Sequence, residues 1–368
     1  MATHIYTSII ANYIPKARVL AHSVKKCHPE AIFHLFISDA LPDGFKVEDE
    51  PFDHVWTIPD LGLQNEDQWL FEHSIVEVST GIKGFALLKL LDLPGCTEVL
   101  YFDPDMVVLR RLDGLLKHFN TSSILLTPHL TAPEKTMEAI LDNEFSVLKH
   151  GIYNLGFVGV KKSTEGLHFA RWWAARLQYF CFDDIPNGLF TDQRWVDLAP
   201  SFFPGCMILH YPGYNVCTWN LTHRTVAGSL ESGLTANGQP VVFYHFSGLD
   251  SGAQEAMLNR YGAQMPALRE LREWYLNECE RMGQTAMSAI PWAYGRFDNG
   301  KPITQVHRTR YRHRGDLREA FPKPFSTKDR DESYYHWFEA NDETSKPKQA
   351  WQFWGVLPGV GPATMEAP

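Results

Sequence analysis

Between Val99 and Leu109 the chain reads Val-Leu-Tyr-Phe-Asp-Pro-Asp-Met-Val-Val-Leu, two apolar runs hinged on Asp103, Pro104 and Asp105. Proline fixes φ and removes a ladder donor, so one strand must stop here before another begins. The pattern predicts strand, tight corner, strand, with two carboxylates presented at the end of a buried strand. Burying such groups without compensation costs several kcal/mol. A hard divalent cation is the usual compensation. Mg²⁺ and Mn²⁺ take one or two carboxylates and fill their remaining positions with water and phosphate oxygens. A surface turn uses the same residue types, so both readings stand at this point.

The rest of the composition narrows the class. A chain of 368 residues with 44% hydrophobic and 21% charged residues is long enough for one large domain with an appendage, or for two domains. No apolar run approaches the length of a membrane span. The start, Met1-Ala2-Thr3-His4, enters a strand pattern without a basic or apolar leader, so a cytoplasmic location is expected. Six cysteines lie scattered without metal-ligand spacing, as expected for reduced thiols. The net charge of −9 argues against nucleic acid as the main partner.

Strand and helix patterns alternate through the first two thirds. His4–Ile10 and Ala31–Ile37 read as strands. Between them Ala17, Leu20, Ala21 and Val24 repeat at helical spacing after Pro15. A helix carrying Phe85, Leu87, Leu88, Leu90 and Leu91 leads into the strand before Asp103. This order predicts an α/β fold: a Rossmann-like, mostly parallel sheet with helices on both faces, and a C-terminal helical appendage. Ligands of such sheets bind at the carboxyl ends of the strands, where Thr7, Ser8 and the Asp103/Asp105 corner fall.

Three later features place polar groups at strand ends. Asn154 and Gly156 interrupt the apolar run Ile152–Val160. Glycine inside a strand marks a bulge or a close approach by a ligand or another backbone. Asp192 and Gln193 open a short helix, where Asp192 is either an N-cap or a site residue. The run Val241–Gly248 ends a strand on His245, a hydrogen-bonded structural residue on the plainest reading.

Taken in order, these segments resemble the retaining, metal-dependent nucleotide-sugar glycosyltransferases of the GT-A fold. Within that fold they are most similar to the glycogenin and lipopolysaccharide galactosyltransferase family (glycosyltransferase family 8) and its bacterial relatives. The resemblance spans about residues 4–250. It implies that Asp103, Asp105 and His245 hold Mn²⁺ or Mg²⁺. It assigns Thr7, Ser8, Asn12, Lys83, Asp103, Asn154, Gly156 and Gly248 to the donor, and places Asp192 and Gln193 beside the anomeric carbon. Lys83 is matched to a basic residue just before the helix that follows. After His245 the chain runs Leu249-Asp250-Ser251-Gly252, where the family often carries Lys-Pro-Trp. Diphosphate binding then falls to Lys83, to backbone amides or to an arginine from elsewhere. Tyr214, Asn215 and Trp219 suit acceptor recognition, and equally a core packed against a loop.

The domains expected are a catalytic domain over 1–250, with a nucleotide-sugar half to about 110 and an acceptor half beyond it. A helical extension over 251–340 packed on that domain and a partly disordered tail over 341–368 complete the chain. Gly295–Lys301 has phosphate-loop spacing, but Pro302 follows where Ser or Thr would bind metal, so it reads as a turn. Arg308, Arg310, Arg312 and Arg314 read as a solvated basic face or as a peripheral contact with anionic lipid. The function expected is metal-dependent transfer of a hexose, with retention, from a UDP-sugar to a glycan, lipid-linked or other cell-surface polysaccharide acceptor. The alternatives are a metal-dependent hydrolase of nucleotide sugars or phosphodiesters and a non-catalytic module that binds sugar nucleotides.

Overall fold

The computed structural model describes residues 2–341. The expected tail lies, apart from Asn341, outside the described residues. The chain divides into two compact units, one of residues 1–61 with 76–292, the other of residues 62–75 with the chain from Ala293 onward.

The first unit is built on strands β1 (Ala2–Ile9), β2 (Ile32–Ile37), β3 (His54–Thr57), β4 (Cys96–Phe102), β5 (Met106–Val108), β6 (Ile124–Pro128) and β7 (Tyr153–Lys161). A seven-stranded sheet runs in the order Cys206–Ile208, β6, β7, β4, β1, β2, β3. All neighbours pair in parallel except β7, which is antiparallel to both β4 and β6. The fold is therefore a mixed, mostly parallel sheet flanked by helices, with further helices towards the C-terminus. Burial of Ile5, Phe33, Leu35, Leu100 and Phe102, each 0% exposed, explains why the central strands read as unbroken apolar runs. Helix Ile14–Cys27 carries Pro15 in its first turn and buries Ala17, Leu20, Ala21 and Val24, the face its spacing predicts.

Packing sets the position of one more helix, Ile75–Asp92. A Cβ on Gly84 would stand 2.9 Å from the Ala174 Cα on helix Thr164–Phe180. Only glycine allows the two backbones this close. Lys83 sits in mid-helix, not just before the helix as the resemblance implied, and its side chain is turned inward.

The ribbon outside the main sheet supplies the long-range link. Strand Phe243–His245 pairs antiparallel with β5, setting His245 opposite Met106. Helices Ala253–Tyr261 and Pro266–Arg281 belong to this same unit.

The second unit is small and aromatic. Phe71, Phe297, Tyr311, Phe321, Tyr334 and Phe338 form its core. Gly295–Lys301 is a turn, closed by the Phe297 amide donating to the Lys301 carbonyl. The arginine run is not one uniform solvated face, because Arg308 is buried whereas the Arg314 side chain is 50% exposed. Arg308 is 3% exposed and donates to the carbonyls of Leu70, Phe71 and His73 at the C-terminal end of helix Glu66–Glu72. Arg312 donates to the Glu72 carbonyl, Arg310 lies over the Phe338 ring and Arg314 pairs with Asp316. Among the described residues no helix is long and apolar enough to cross a membrane.

Candidate active site

The Asp103–Asp105 corner is built by backbone hydrogen bonds on both sides of Pro104. The Asp103 amide donates to the Gly156 carbonyl at 2.8 Å, and the Met106 amide donates back to the Asp103 carbonyl at 3.1 Å. The Phe246 amide donates to the Asp105 carbonyl at 2.8 Å, tying the corner to the residue after His245. One ligand atom from each of Asp103, Asp105 and His245 then lies within 4.8 Å of the others. His245 Nε2 stands 3.1 Å from Asp105 Oδ1 and 3.8 Å from Asp103 Oδ2.

Gly156 makes room for that imidazole. A Cβ there would come within 2.5 Å of His245 Cε1 and 2.7 Å of Nδ1. The close approach expected at this glycine is made by a side chain of the protein.

The electrostatics follow from burial and pairing. Burial works to lower the His245 pKa, but Asp105 and Asp103 outweigh it and the group titrates above its ordinary value. Burial works to raise Asp105, yet His245 and Lys16 hold it below the usual carboxylate range. His245 Nδ1 is buried without a hydrogen-bond partner. Two hard carboxylate oxygens and one imidazole nitrogen fit a divalent cation, with positions left for water and substrate oxygens.

A second charged cluster shares Asp103. Lys83 Nζ stands 3.2 Å from Asp103 Oδ1 and 3.1 Å from Asp192 Oδ2, and donates to the Leu155 carbonyl at 3.2 Å. The Tyr101 hydroxyl donates to Asp103 Oδ1 at 2.5 Å, and the Lys83 ammonium lies over the Tyr101 ring. Asp192 makes no N-cap bond, although it stands at the start of helix Gln193–Val196. Its carboxylate turns to Lys83 instead, with Oδ1 accepting from the Thr191 hydroxyl. Thr191 holds a φ of +45°, a conformation costly for a β-branched residue. Burial raises the Asp192 pKa against the pull of Lys83.

The other expected residues fall in varied places. The Gln193 side chain accepts from the Leu155 amide and donates to the His150 carbonyl, fastening the start of β7. Asn154 Oδ1 accepts from the Gly156 amide, beside His245. Ser8 donates to the Ser79 carbonyl and meets the Tyr101 hydroxyl at 3.2 Å. Thr7 is 0% exposed with its hydroxyl unpartnered, and Asn12 Oδ1 is likewise buried and unpartnered. Gly248 takes a φ of +79° in the turn after His245. Tyr214 is stacked on Phe243 in the core. Asn215 is buried behind Asn154 and donates to Thr127, whereas Trp219 is half-buried near Gly248.

Sequence reasoning missed Tyr101, whose hydroxyl is hidden in an apolar strand pattern. It also missed Lys16, Tyr13 and Asp250. Lys16 Nζ donates to both Asp250 oxygens, at 2.6 and 2.5 Å, and Tyr13 donates to the same carboxylate. Nothing in the local sequence links positions so far apart.

No family model matches the chain, so it is assigned to no family. It is 33% identical over 156 residues to the uncharacterized protein YfnF of Bacillus subtilis (strain 168), a stretch covering 42% of this chain and 50% of that protein. It is 29% identical over 130 residues to the uncharacterized protein YfnD of the same strain, covering 35% of this chain and 39% of that one. The chain thus spans half or less of the curated relatives it matches. Among solved structures it is similar to the galactosyltransferase LgtC in complex with donor and acceptor sugar analogs. That match has a TM-score of 0.39 and 16% identity over 72% of this chain and 96% of that one.

Proposed function

We propose that the first unit is a GT-A-type glycosyltransferase, moving a hexose from a UDP-sugar to a glycan or lipid-linked acceptor with retention. The observation that carries this reading is the meeting of Asp103, Asp105 and His245 next to the buried Lys83–Asp192 pair, at the carboxyl end of β4. A divalent cation held there, Mn²⁺ or Mg²⁺, supplies charge stabilisation for a departing diphosphate.

The chain's own residues do the rest. Lys83 faces Asp103 and Asp192 together and offsets one of their two negative charges, which reduces the repulsion an incoming anion meets. Tyr101 fixes the orientation of Asp103 by its hydrogen bond. Asp192 is 2% exposed, with one oxygen on Thr191 and the other facing Lys83, which suits a carboxylate that positions charge rather than one that attacks carbon. Gln193 sets the Leu155 end of β7 and with it the Asn154–Gly156 segment of that strand facing His245. Retention then favours transfer on one face, the leaving phosphate taking the acceptor proton.

The test is sugar release and transfer from UDP-glucose, UDP-galactose and their N-acetyl forms, with Mn²⁺ or EDTA, with and without a glycan acceptor. Transfer that needs both metal and acceptor, and is lost in Asp105→Ala, supports the proposal. Full-speed release of free sugar without acceptor would make the enzyme a hydrolase. An inert protein that still binds UDP-sugar would be a binding module.

A further inference from the structure

Among the described residues the first unit buries two lysines and one arginine, Lys16, Lys83 and Arg224, and they are committed to different degrees. Arg224 donates to the carbonyls of Tyr214 and Asn215 and serves the backbone. Lys83 is held by two carboxylates and a carbonyl. Lys16 is 3% exposed, yet it rests on one carboxylate, Asp250, whose own side chain is 56% exposed. The Lys16 ammonium also lies 4.2 Å over the Tyr13 ring, and the Tyr13 hydroxyl donates to the same Asp250. Two donors thus converge on a single anion at the rim.

The chain itself ties this anion to the candidate metal ligands. Asp250 follows His245 across a turn with left-handed glycines at 248 and 252. Helix Ile14–Cys27, which carries Lys16, also packs along β5 next to the Asp103–Asp105 corner: the Val108 amide donates to the Ser23 hydroxyl at 3.0 Å and Val19 shares a core with Val107. In the donor site proposed above, a diphosphate brings two negative charges beside Asp103 and Asp105, the residues that would hold a divalent cation. Lys83 is spent on Asp103 and Asp192. Lys16 is the buried cation left to meet phosphate oxygens.

We propose that Lys16 and Tyr13 form a diphosphate-receiving site on helix Ile14–Cys27, and that Asp250 occupies it as an internal stand-in until a nucleoside diphosphate displaces it. The inference rests on the donor site proposed above and names the cation that grips its phosphates. The exchange is conservative, because one carboxylate leaves for solvent as a phosphate oxygen takes its place. Charge-assisted hydrogen bonds of this kind change affinity about tenfold or more when removed.

The test is isothermal titration of the full chain with UDP plus Mn²⁺ and with pyrophosphate plus Mn²⁺. Wild type is compared with Lys16→Met, Lys16→Arg and Asp250→Asn. Lys16→Met should weaken both ligands about tenfold, Lys16→Arg should restore most of the loss, and Asp250→Asn should tighten both. Mn²⁺ alone should bind all four proteins equally. Unchanged UDP affinity in Lys16→Met overturns the proposal while leaving the donor site intact. Weakened binding in Asp250→Asn overturns the stand-in role, and needs only a surface substitution should Lys16→Met fold poorly. Wild type that binds neither UDP nor pyrophosphate with Mn²⁺ fails the donor-site reading itself, and this inference with it.

Discussion

Lys83 Nζ lies 3.1 Å from Asp192 Oδ2, and the two side chains are 4% and 3% exposed. Each charge is tolerable in the interior because of the other. Removing one partner of a buried pair leaves an uncompensated charge, which costs about 3–5 kcal/mol. Lys83→Met should therefore lower unfolding free energy by about that amount in urea titration, and should abolish sugar transfer. A loss below about 1 kcal/mol would mean that Asp192 simply takes up a proton and that the pair is not holding the site together.

Gly156 is the position where the candidate metal ligands are most easily disturbed without replacing one of them. Alanine there would set its Cβ 2.5 Å from a ring atom of His245, and a planar imidazole cannot bend away. Displacing an imidazole or its support costs about 10–100-fold in metal affinity. Gly156→Ala should show that loss for Mn²⁺ by titration calorimetry, with the far-ultraviolet circular dichroism of the wild type. Unaltered Mn²⁺ affinity would remove His245 from the ligand set.

What the sequence reveals here follows the range of the interactions involved. The strand–corner–strand at Asp103–Asp105 is legible because proline between β-branched runs permits little else. His245 stands beside it through the β5 ribbon, a pairing that no local pattern encodes. Resemblance alone brought that histidine into the set. The reach of Lys83 depends on how closely Gly84 lets two helices pack, which is likewise invisible in hydropathy. The arginine run has the same limit. Its local composition does not separate exposed Arg314 from buried Arg308, which serves carbonyls at a helix end distant in sequence.

In the first unit, His34 gives stability a definite pH slope. The Trp56 indole donates to His34 Nδ1 at 3.1 Å, so that nitrogen must stay unprotonated, and Nε2 meets His4 Nδ1 at 2.8 Å. Burial first, and then His4 and His54, push the His34 pKa down to about 3 from 6.5. Between those values the unfolded chain binds the extra proton and the folded one does not. Stability contributed by neutral His34 is therefore full above pH 6.5 and declines by about 1.4 kcal/mol for each pH unit below it. Hydrogen exchange of β1–β3 amides should lose protection accordingly from pH 6.5 to 4. In His34→Phe this slope should flatten, and an unchanged slope would assign it to other groups.

The second unit should respond to pH with the opposite sign. Burial raises the Glu72 carboxyl to about 7 from 4.5, against the pull of Arg318 and Arg312. Here the folded state holds the proton that the unfolded chain has released. The stability contributed by protonated Glu72 is complete below pH 4.5 and is lost as pH rises through 7, again at about 1.4 kcal/mol per unit. Glu72→Gln keeps the size and removes the ionisation, so it should hold protection of helix Gln305–His313 constant from pH 5 to 8 while wild type loses it. Because His34 and Glu72 lie in different units, residue-resolved exchange reads the two slopes separately in one sample. Parallel slopes in both units would show that a group common to the whole chain, and neither of these, controls its response to pH.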